Sequence, residues 1–371
     1  MNIYQTLWDN DENKFSVSKK LNSGEYENPN ADLLIDEQIK ADGRRDTDLA
    51  KNPLFSFVNL AKLETEINSK FINLLNNYII NYRDVEDYTT QELDEIYQFI
   101  ETIKSTKVFQ LAIDYIENSL NERIQENFND QMFDIWFKFY TNWFNGRQTD
   151  FCSGFEHVFV GEGKYSPTTG GNNTLGEIDG YHNWIKFLLD EKTGRVNFSG
   201  YNYGLDNNQG PDNVNVVTLQ MTWEHRDLNG DLIAQLFKPK GGFFVGNSPE
   251  CDLAMGTIAY FESKKGMFSS NDKKQVDLGK SKLALVMYRN INRDATRGDH
   301  IRSFYPEYLG SMAFADSLLQ NIKGLDYDKS NLLRLNNTLY ADFVYRSKES
   351  ILERSIYYDN NRWKLKFENW K

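Results

Sequence analysis

Two of the chain's four histidines sit in short aromatic-aliphatic runs close together in sequence. His157 lies in Phe155-Glu156-His157-Val158-Phe159-Val160, and His182 in Tyr181-His182-Asn183-Trp184-Ile185. Further along, FKPKGGFFVGNSPE supplies Lys238. A histidine can hold or release a proton near neutrality because its unperturbed pKa is about 6.5. Two imidazoles and an ammonium therefore suit chemistry at a phosphate. One ring takes a proton from an attacking hydroxyl, the other protonates the departing oxygen, and the cation steadies the charge between them. A placed proton-transfer group contributes about 10²–10⁴-fold to rate. Cleavage of RNA through its own 2′-OH needs these three groups and no metal.

The elements that must hold these residues fall into three stretches. The polar first 45 or so residues read as irregular structure with a short helix or two. After Pro53, apolar residues recur at helical spacing (Leu60, Ile67, Phe71, Leu74, Leu75), so a helix is expected from there. Thr89-Thr90-Gln91-Glu92 is a start signal for a further helix carrying Leu93, Ile96, Tyr97, Ile100 and Ile103. Val108 to Leu120 predicts another, and Met132, Ile135, Trp136, Phe139 and Trp143 form an apolar stripe that reads as a core helix ending at Gly146. Beyond residue 150 the apolar runs become short and predict strands: HVFVGE, RVNFSGYNY, NVVTLQMTW, GGFFVG, KLALVMYRN and HIRSFYP. Two helices interrupt them, one over Asn183–Asp190 and one starting at Ser248-Pro249-Glu250. A helix is expected over Met312–Ile322, and strands over Asn337–Trp370 with a hairpin turn at Asp359-Asn360-Asn361. The expected division is 1–147, 148–308 and 309–371, the last a β-rich extension.

The motifs SGFEHVFVGE, GYHNWI, FKPKGGFFVGNSPE and SFYPEY, taken together, resemble the EndoU family of uridylate-specific endoribonucleases. The resemblance covers about 150–306 and extends weakly to LWDNDENKF and NPLFSFVNL, but not beyond about 310. It implies an α+β fold: a helical region packed on two small antiparallel sheets, with the active site in the cleft between them. It implies cleavage of single-stranded RNA at uridines, leaving 2′,3′-cyclic phosphate ends. His157 and His182 match the family's two histidines, His182 as base and His157 as acid. Lys238 matches its lysine, with Lys240 as the other register. Glu156 and Glu162 match acidic positions that orient an imidazole or, in members stimulated by Mn2+, sit near the ion. Tyr305 and Ser303 match the residues that pack on the uridine. The chain departs from the pattern at Gly242, where a Ser or Thr usually reads the uracil. Asn247 or Ser303 would then compensate. A long Gly/Asn/Thr loop, Gly163 to Gly176, is expected to be mobile and to close over RNA.

Each of these residues also has a plainer reading. His157 alternates with apolar neighbours as a core histidine would, and Glu156 and Glu162 could be solvent-facing turn positions. His225 reads as a surface residue, and His300 as structural. Cys152 and Cys251, the chain's 2 cysteines, lack metal-ligand spacing and read as packing residues. The Trp136–Phe139–Trp143 stripe reads as core rather than a stacking surface. Net charge of -12 argues against indiscriminate nucleic-acid binding, leaving Lys264-Lys265 and Lys273-Lys274 as candidate extra phosphate contacts. No apolar run approaches the roughly 20 residues needed to span a bilayer. No signal peptide is visible, so a cytoplasmic protein is the default, with secretion by another route left open. The rival expectation is a non-catalytic RNA-binding protein on the same fold.

Overall fold

A computed structural model describes residues 2–21, 23–37, 39–82, 84–165, 174–203, 215–227, 229–279 and 281–310, plus the backbone of Ser311 and of the strands within 327–370. The chain begins with α1 (Ile3–Asp9), capped by the Asn2 side chain. β1 (Val17–Lys19), β2 (Leu33–Ile35) and β3 (Phe55–Val58) form a small sheet in that order. The stretch after Pro53 is therefore a strand at first, with Phe55 and Val58 buried. Helix follows only as α2 (Leu60–Leu63) and α3 (Glu66–Leu74).

α4 (Thr90–Lys104) starts where the sequence signals it. Thr89 accepts from the backbone of Glu92, and the Glu92 carboxylate accepts from the Thr89 N–H, satisfying two amides that the helix cannot pair itself. α5 (Lys107–Asn118) follows, and α6 (Phe128–Met132) runs into a π-helical turn over Phe133–Phe137. The expected helical stripe divides here. Met132, Ile135 and Trp136 are core residues, but the chain becomes extended at Lys138. Phe139 and Trp143 belong instead to the approach and first strand of a hairpin, β4 (Tyr140–Phe144) and β5 (Arg147–Cys152). Asn145 and Gly146 connect the strands at φ of 48° and 72°, the left-handed pair whose twist suits a two-residue hairpin.

The remaining elements are β6 (Glu162–Lys164), β7 (Leu175–Asp179), α7 (Trp184–Lys192), β8 (Val196–Tyr201), β9 (Val216–Arg226) and β10 (Leu232–Phe244), then α8 (Pro249–Lys264), β11 (Lys273–Leu278), β12 (Ser281–Ile291) and β13 (Arg297–Ser311). They build the two expected sheets. One is three-stranded and antiparallel, β11-β12-β13. The other has the order β6-β7-β10-β9-β8 and is mixed, because β7 and β10 run parallel. That long-range pairing corrects the expectation of two antiparallel sheets.

α8 ties the regions together. It is buried on all sides from Pro249 to Glu262, the mark of a central helix. Gly256 lets the Trp136 ring approach, since a Cβ there would lie 2.6 Å from it, and Trp136 Nε1 donates to Thr257. Tyr4 and Tyr115 both donate to the buried Glu262 carboxylate. One continuous apolar core thus runs from α1 to β13. β14 (Tyr327–Leu335), β15 (Thr338–Arg346), β16 (Ile351–Asp359) and β17 (Arg362–Trp370) form an antiparallel four-stranded meander, with Asp359 paired to Arg362. The helix expected over 312–322, and residues 166–173 of the long loop, lie outside the described residues. No helix among the described residues is long and apolar enough to cross a membrane.

Candidate active site

The His157 run is expected to be a strand, but it folds as a helical turn. Phe155, Val158, Phe159 and Val160 are all buried. Glu156–Val160 adopts a π-helical turn, closed by the Gly161 N–H donating to the Glu156 carbonyl. Such turns concentrate at functional sites because the extra residue re-aims a side chain. Gly161 follows at φ 87°, where a Cβ would press on Tyr181 at 2.9 Å.

The second histidine is hung directly on this turn. The Tyr181 N–H donates to the His157 carbonyl (2.9 Å) and the His182 N–H to the Val158 carbonyl (2.6 Å). Gly180 makes the approach possible: a Cβ there would sit 1.7 Å from the His157 carbonyl oxygen. Asn183 then caps α7 through its side chain, and Tyr181 donates to Asp190, which also receives Lys186 and Trp223.

The two rings have different partners. His157 Nδ1 lies 2.6 Å from Glu162 Oε2. Arg302 Nη1 donates to the same oxygen at 3.0 Å, and its Nη2 donates to Asp150 at 2.9 Å. Burial opposes ionisation of Glu162, but Arg302 and His157 outweigh it and hold the carboxyl well below the usual range. Burial and Arg302 pull His157 below its ordinary value, and Glu162 pushes it back up. His182 Nδ1 instead donates to the Gly242 carbonyl at 2.7 Å, and its ring stacks on Tyr305 at 4.3 Å and 12°. Burial, Lys238 and His157 press its pKa well below the ordinary value. Lys238 Nζ donates to the Gly180 carbonyl at 2.7 Å, and burial lowers it to about 8.

All three groups open onto one cavity of about 320 Å³ between the two sheets. β9 and β10 contribute Thr218, Lys238, Lys240 and Gly242, while β12 and β13 contribute Tyr288, Arg302, Ser303 and Tyr305. Of the expected site residues, His157, His182, Lys238, Ser303, Tyr305 and Gly242 meet here, with Glu162 behind His157. Lys240 lines the cavity as well, so the two lysines are not alternatives. Asn247 does not reach it: it is buried at the start of α8, where its carbonyl accepts from Trp184.

Glu156 and Glu162 are buried rather than solvent-facing. Glu156 turns away from the cavity to accept the Ser153 N–H, and burial with Glu162 and Glu86 nearby raises its pKa. His225 is half-buried against Tyr165, not a surface residue, and His300 stacks on Tyr140. Cys152 and Cys251 are buried free thiols. The four lysines expected to contact phosphate are each occupied by a carboxylate: Lys264 by Asp299, Lys265 by Glu122, Lys273 by Glu307 and Lys274 by Glu262. Arg302, Asp179, Thr218 and Tyr288 were missed. Arg302 stands beside Ser303 in HIRSFYP and Asp179 beside Gly180, so adjacency to a motif was the available signal.

Glu156 and Glu162 do not make a manganese site, since one carboxyl is pushed toward its neutral form and the other is engaged by Arg302 and His157. Among the described residues there is no group of three or more His, Cys, Asp or Glu able to hold a metal ion.

The profile of the family described as "Endoribonuclease XendoU" matches residues 1–306, so the match includes the helical region as fully as the sheets. Uridylate-specific endoribonuclease B of Danio rerio is 32% identical over 311 residues, covering 82% of this chain and 94% of the relative. Poly(U)-specific endoribonuclease of Xenopus tropicalis is 33% identical over 273 residues, covering 71% and 82%. A solved structure of XendoU, a splicing independent snoRNA processing endoribonuclease, superposes with a TM-score of 0.58 at 28% identity, covering 83% of this chain and 96% of that one. An RNA-cleaving active site is what these relatives share, and the chain is an endoribonuclease that belongs to the XendoU family.

Proposed function

We propose that the chain cleaves single-stranded RNA after uridines by 2′-OH transesterification. The observation that carries this reading is the contrast between the ring partners across one cavity. A carbonyl on His182 Nδ1 fixes the neutral tautomer with Nε2 unprotonated, the form a base needs. A carboxylate on His157 Nδ1 favours the imidazolium, the form an acid needs. His182 Nε2 takes the 2′-OH proton, the 2′-oxygen attacks phosphorus, and the P–O5′ bond breaks as His157 gives its Nε2 proton to the leaving oxygen. The products are a 2′,3′-cyclic phosphate and a free 5′-OH. Lys238 keeps a hydrogen available for the phosphorane oxygens after bonding Gly180, since an ammonium has three donors. A bound phosphate places negative charge between the rings and raises both pKa values, which favours the charged acid.

Uracil reading falls to Thr218 and Ser303. A Cβ at Gly242 would lie 2.8 Å from the Pro306 carbonyl oxygen, so a side chain is excluded there. Thr218, directly across the β9–β10 ladder, holds its hydroxyl 3.5 Å from that Cβ position and brings the missing group to the same place. Ser303 Oγ is buried without a hydrogen-bond partner among the described residues. A base must be splayed out to be read this way, hence the single-stranded substrate.

The test uses short RNAs differing in one central base, with manganese or EDTA, beside a His182→Ala control, with ends identified by mass. Cyclic phosphate after uridine, lost in the variant, is expected. Bound but uncleaved RNA under every condition would overturn the reading.

A further inference from the structure

We propose that the tip of the β4–β5 hairpin is a stacking platform for a nucleotide on the 3′ side of the cleaved phosphate. The inference rests on the acid and base roles given above, because those roles set which flank of the RNA meets the hairpin. Phe144 is 62% exposed at the tip, a large apolar side chain that the described residues leave open. Trp143, beside it, is half-buried under the Arg293 guanidinium, 5.4 Å from its ring centroid. Arg147 stands opposite Phe144 in the ladder. Both arginines are exposed, and neither pairs with a carboxylate among the described residues. In a chain of net charge -12, two such cations flanking two aromatics form a local surface suited to an anion with flat rings. Single-stranded RNA is that ligand, since its binding sites combine cations along the backbone with aromatics under the bases.

The platform continues from the active site. Asp150 of β5 holds Arg302, which lines the cavity beside His157. Asp150 pairs across the hairpin with Asn142, the neighbour of Trp143. Asn142 accepts the Ile291 N–H, which fixes the hairpin to β12, the strand that carries Tyr288 into the cavity. At about 3.3 Å per residue the tip lies on the order of 10 Å beyond Asp150. His157 protonates the 5′-oxygen of the downstream nucleotide, so RNA leaving the cavity on this side runs 3′.

The test compares three substrates: the dinucleotide UpA, UpA extended by three nucleotides on the 3′ side, and UpA extended equally on the 5′ side. Phe144→Ala is expected to raise KM about tenfold on the 3′-extended RNA alone, with kcat unchanged, and Phe144→Trp to restore it. Arg147→Gln and Arg293→Gln should each flatten the salt dependence of binding by about 0.7 in log–log slope. Binding of a 2′-O-methyl copy of the 3′-extended RNA is measured alongside. It reads the platform even if the chain cleaves nothing, while UpA turnover reads the reaction alone. An equal loss on UpA, an effect confined to the 5′ extension, or no effect at all would overturn the proposal. So would a changed oligomeric state of Phe144→Ala with RNA binding intact, which would make the tip a protein contact.

Discussion

His157 and His182 face the same cavity but are held by different physics. Behind His157 lies a buried run of charge, Glu162, Arg302 and Asp150, in which each group depends on the next. Behind His182 lie the Gly242 carbonyl and the face of Tyr305. The carboxylate favours an imidazolium at His157, whereas at His182 burial, Lys238 and His157 outweigh the small upward push of the carbonyl and keep the ring neutral. An enzyme that needs an acid and a base at one pH can obtain both from one residue type in this way. The cost also differs: buried ions demand full pairing, whereas a carbonyl and a ring do not.

The largest effect should erase the comparison altogether. His182→Ala and His157→Ala are each expected to lower kcat by about 10²–10⁴-fold, read as cyclic phosphate formed from a uridine dinucleotide. Loss in only one variant would mean that one support serves structure alone. The next test separates the supports by stability. Arg302→Met leaves buried Glu162 facing only His157 and buried Asp150 facing only Lys164 at 3.6 Å, a loss of about 3–5 kcal/mol and a fall in Tm on the order of 10 °C. Tyr305→Ala removes one stacked pair and should cost Tm much less while raising KM. Similar melting shifts for both variants would show that the charged network is not the more demanding of the two.

A smaller effect sharpens the contrast through pH. In the proposed reaction His157 is the acid and must carry a proton, so activity is expected to fall as pH rises through its pKa. Glu162 pushes that pKa up, and Glu162→Gln removes the push. The descending limb of kcat/KM should therefore move to lower pH. The ascending limb, which the proposed reaction assigns to His182, should stay in place below 6.5, because Glu162 is not among the groups that shift it. Movement of both limbs together, or a histidine NMR titration showing no change at His157, would remove the distinction.

Much of this site is legible in the sequence because its groups sit in local patterns. His157, His182, Lys238, Ser303 and Tyr305 each stand in a short run whose neighbours are distinctive. Arg302 and Thr218 are not legible in that way. One is a single arginine in a strand, and the other reaches the cavity only through the β9–β10 register. The fold shows the same divide. α4 and α8 carry local caps and start where their sequences say. The FEHVFV run is short, apolar and buried on every side, a pattern shared by core strands and helical turns, and it folds as a turn. Trp143 fits a helical stripe by spacing, but Asn145-Gly146 is a strong hairpin signal, and the turn prevails. The parallel pairing of β7 with β10 depends on contacts between distant segments, which periodicity does not encode.

The finest effect concerns the neutral side, where Gly242 bonds His182 through its carbonyl and leaves no room for a side chain. If Thr218 supplies the hydroxyl that a residue at 242 cannot, then Thr218→Val keeps the shape of the wall and deletes one hydrogen bond. The kcat/KM for uridine should fall by up to about tenfold, while that for a cytidine substrate should stay the same. His182 is untouched, so the pH profile should be unchanged, unlike that of Glu162→Gln. An equal fall for both pyrimidines would assign Thr218 to positioning the strand rather than reading the base. Base choice would then rest on Ser303, and Ser303→Ala should flatten the preference that Thr218→Val left intact.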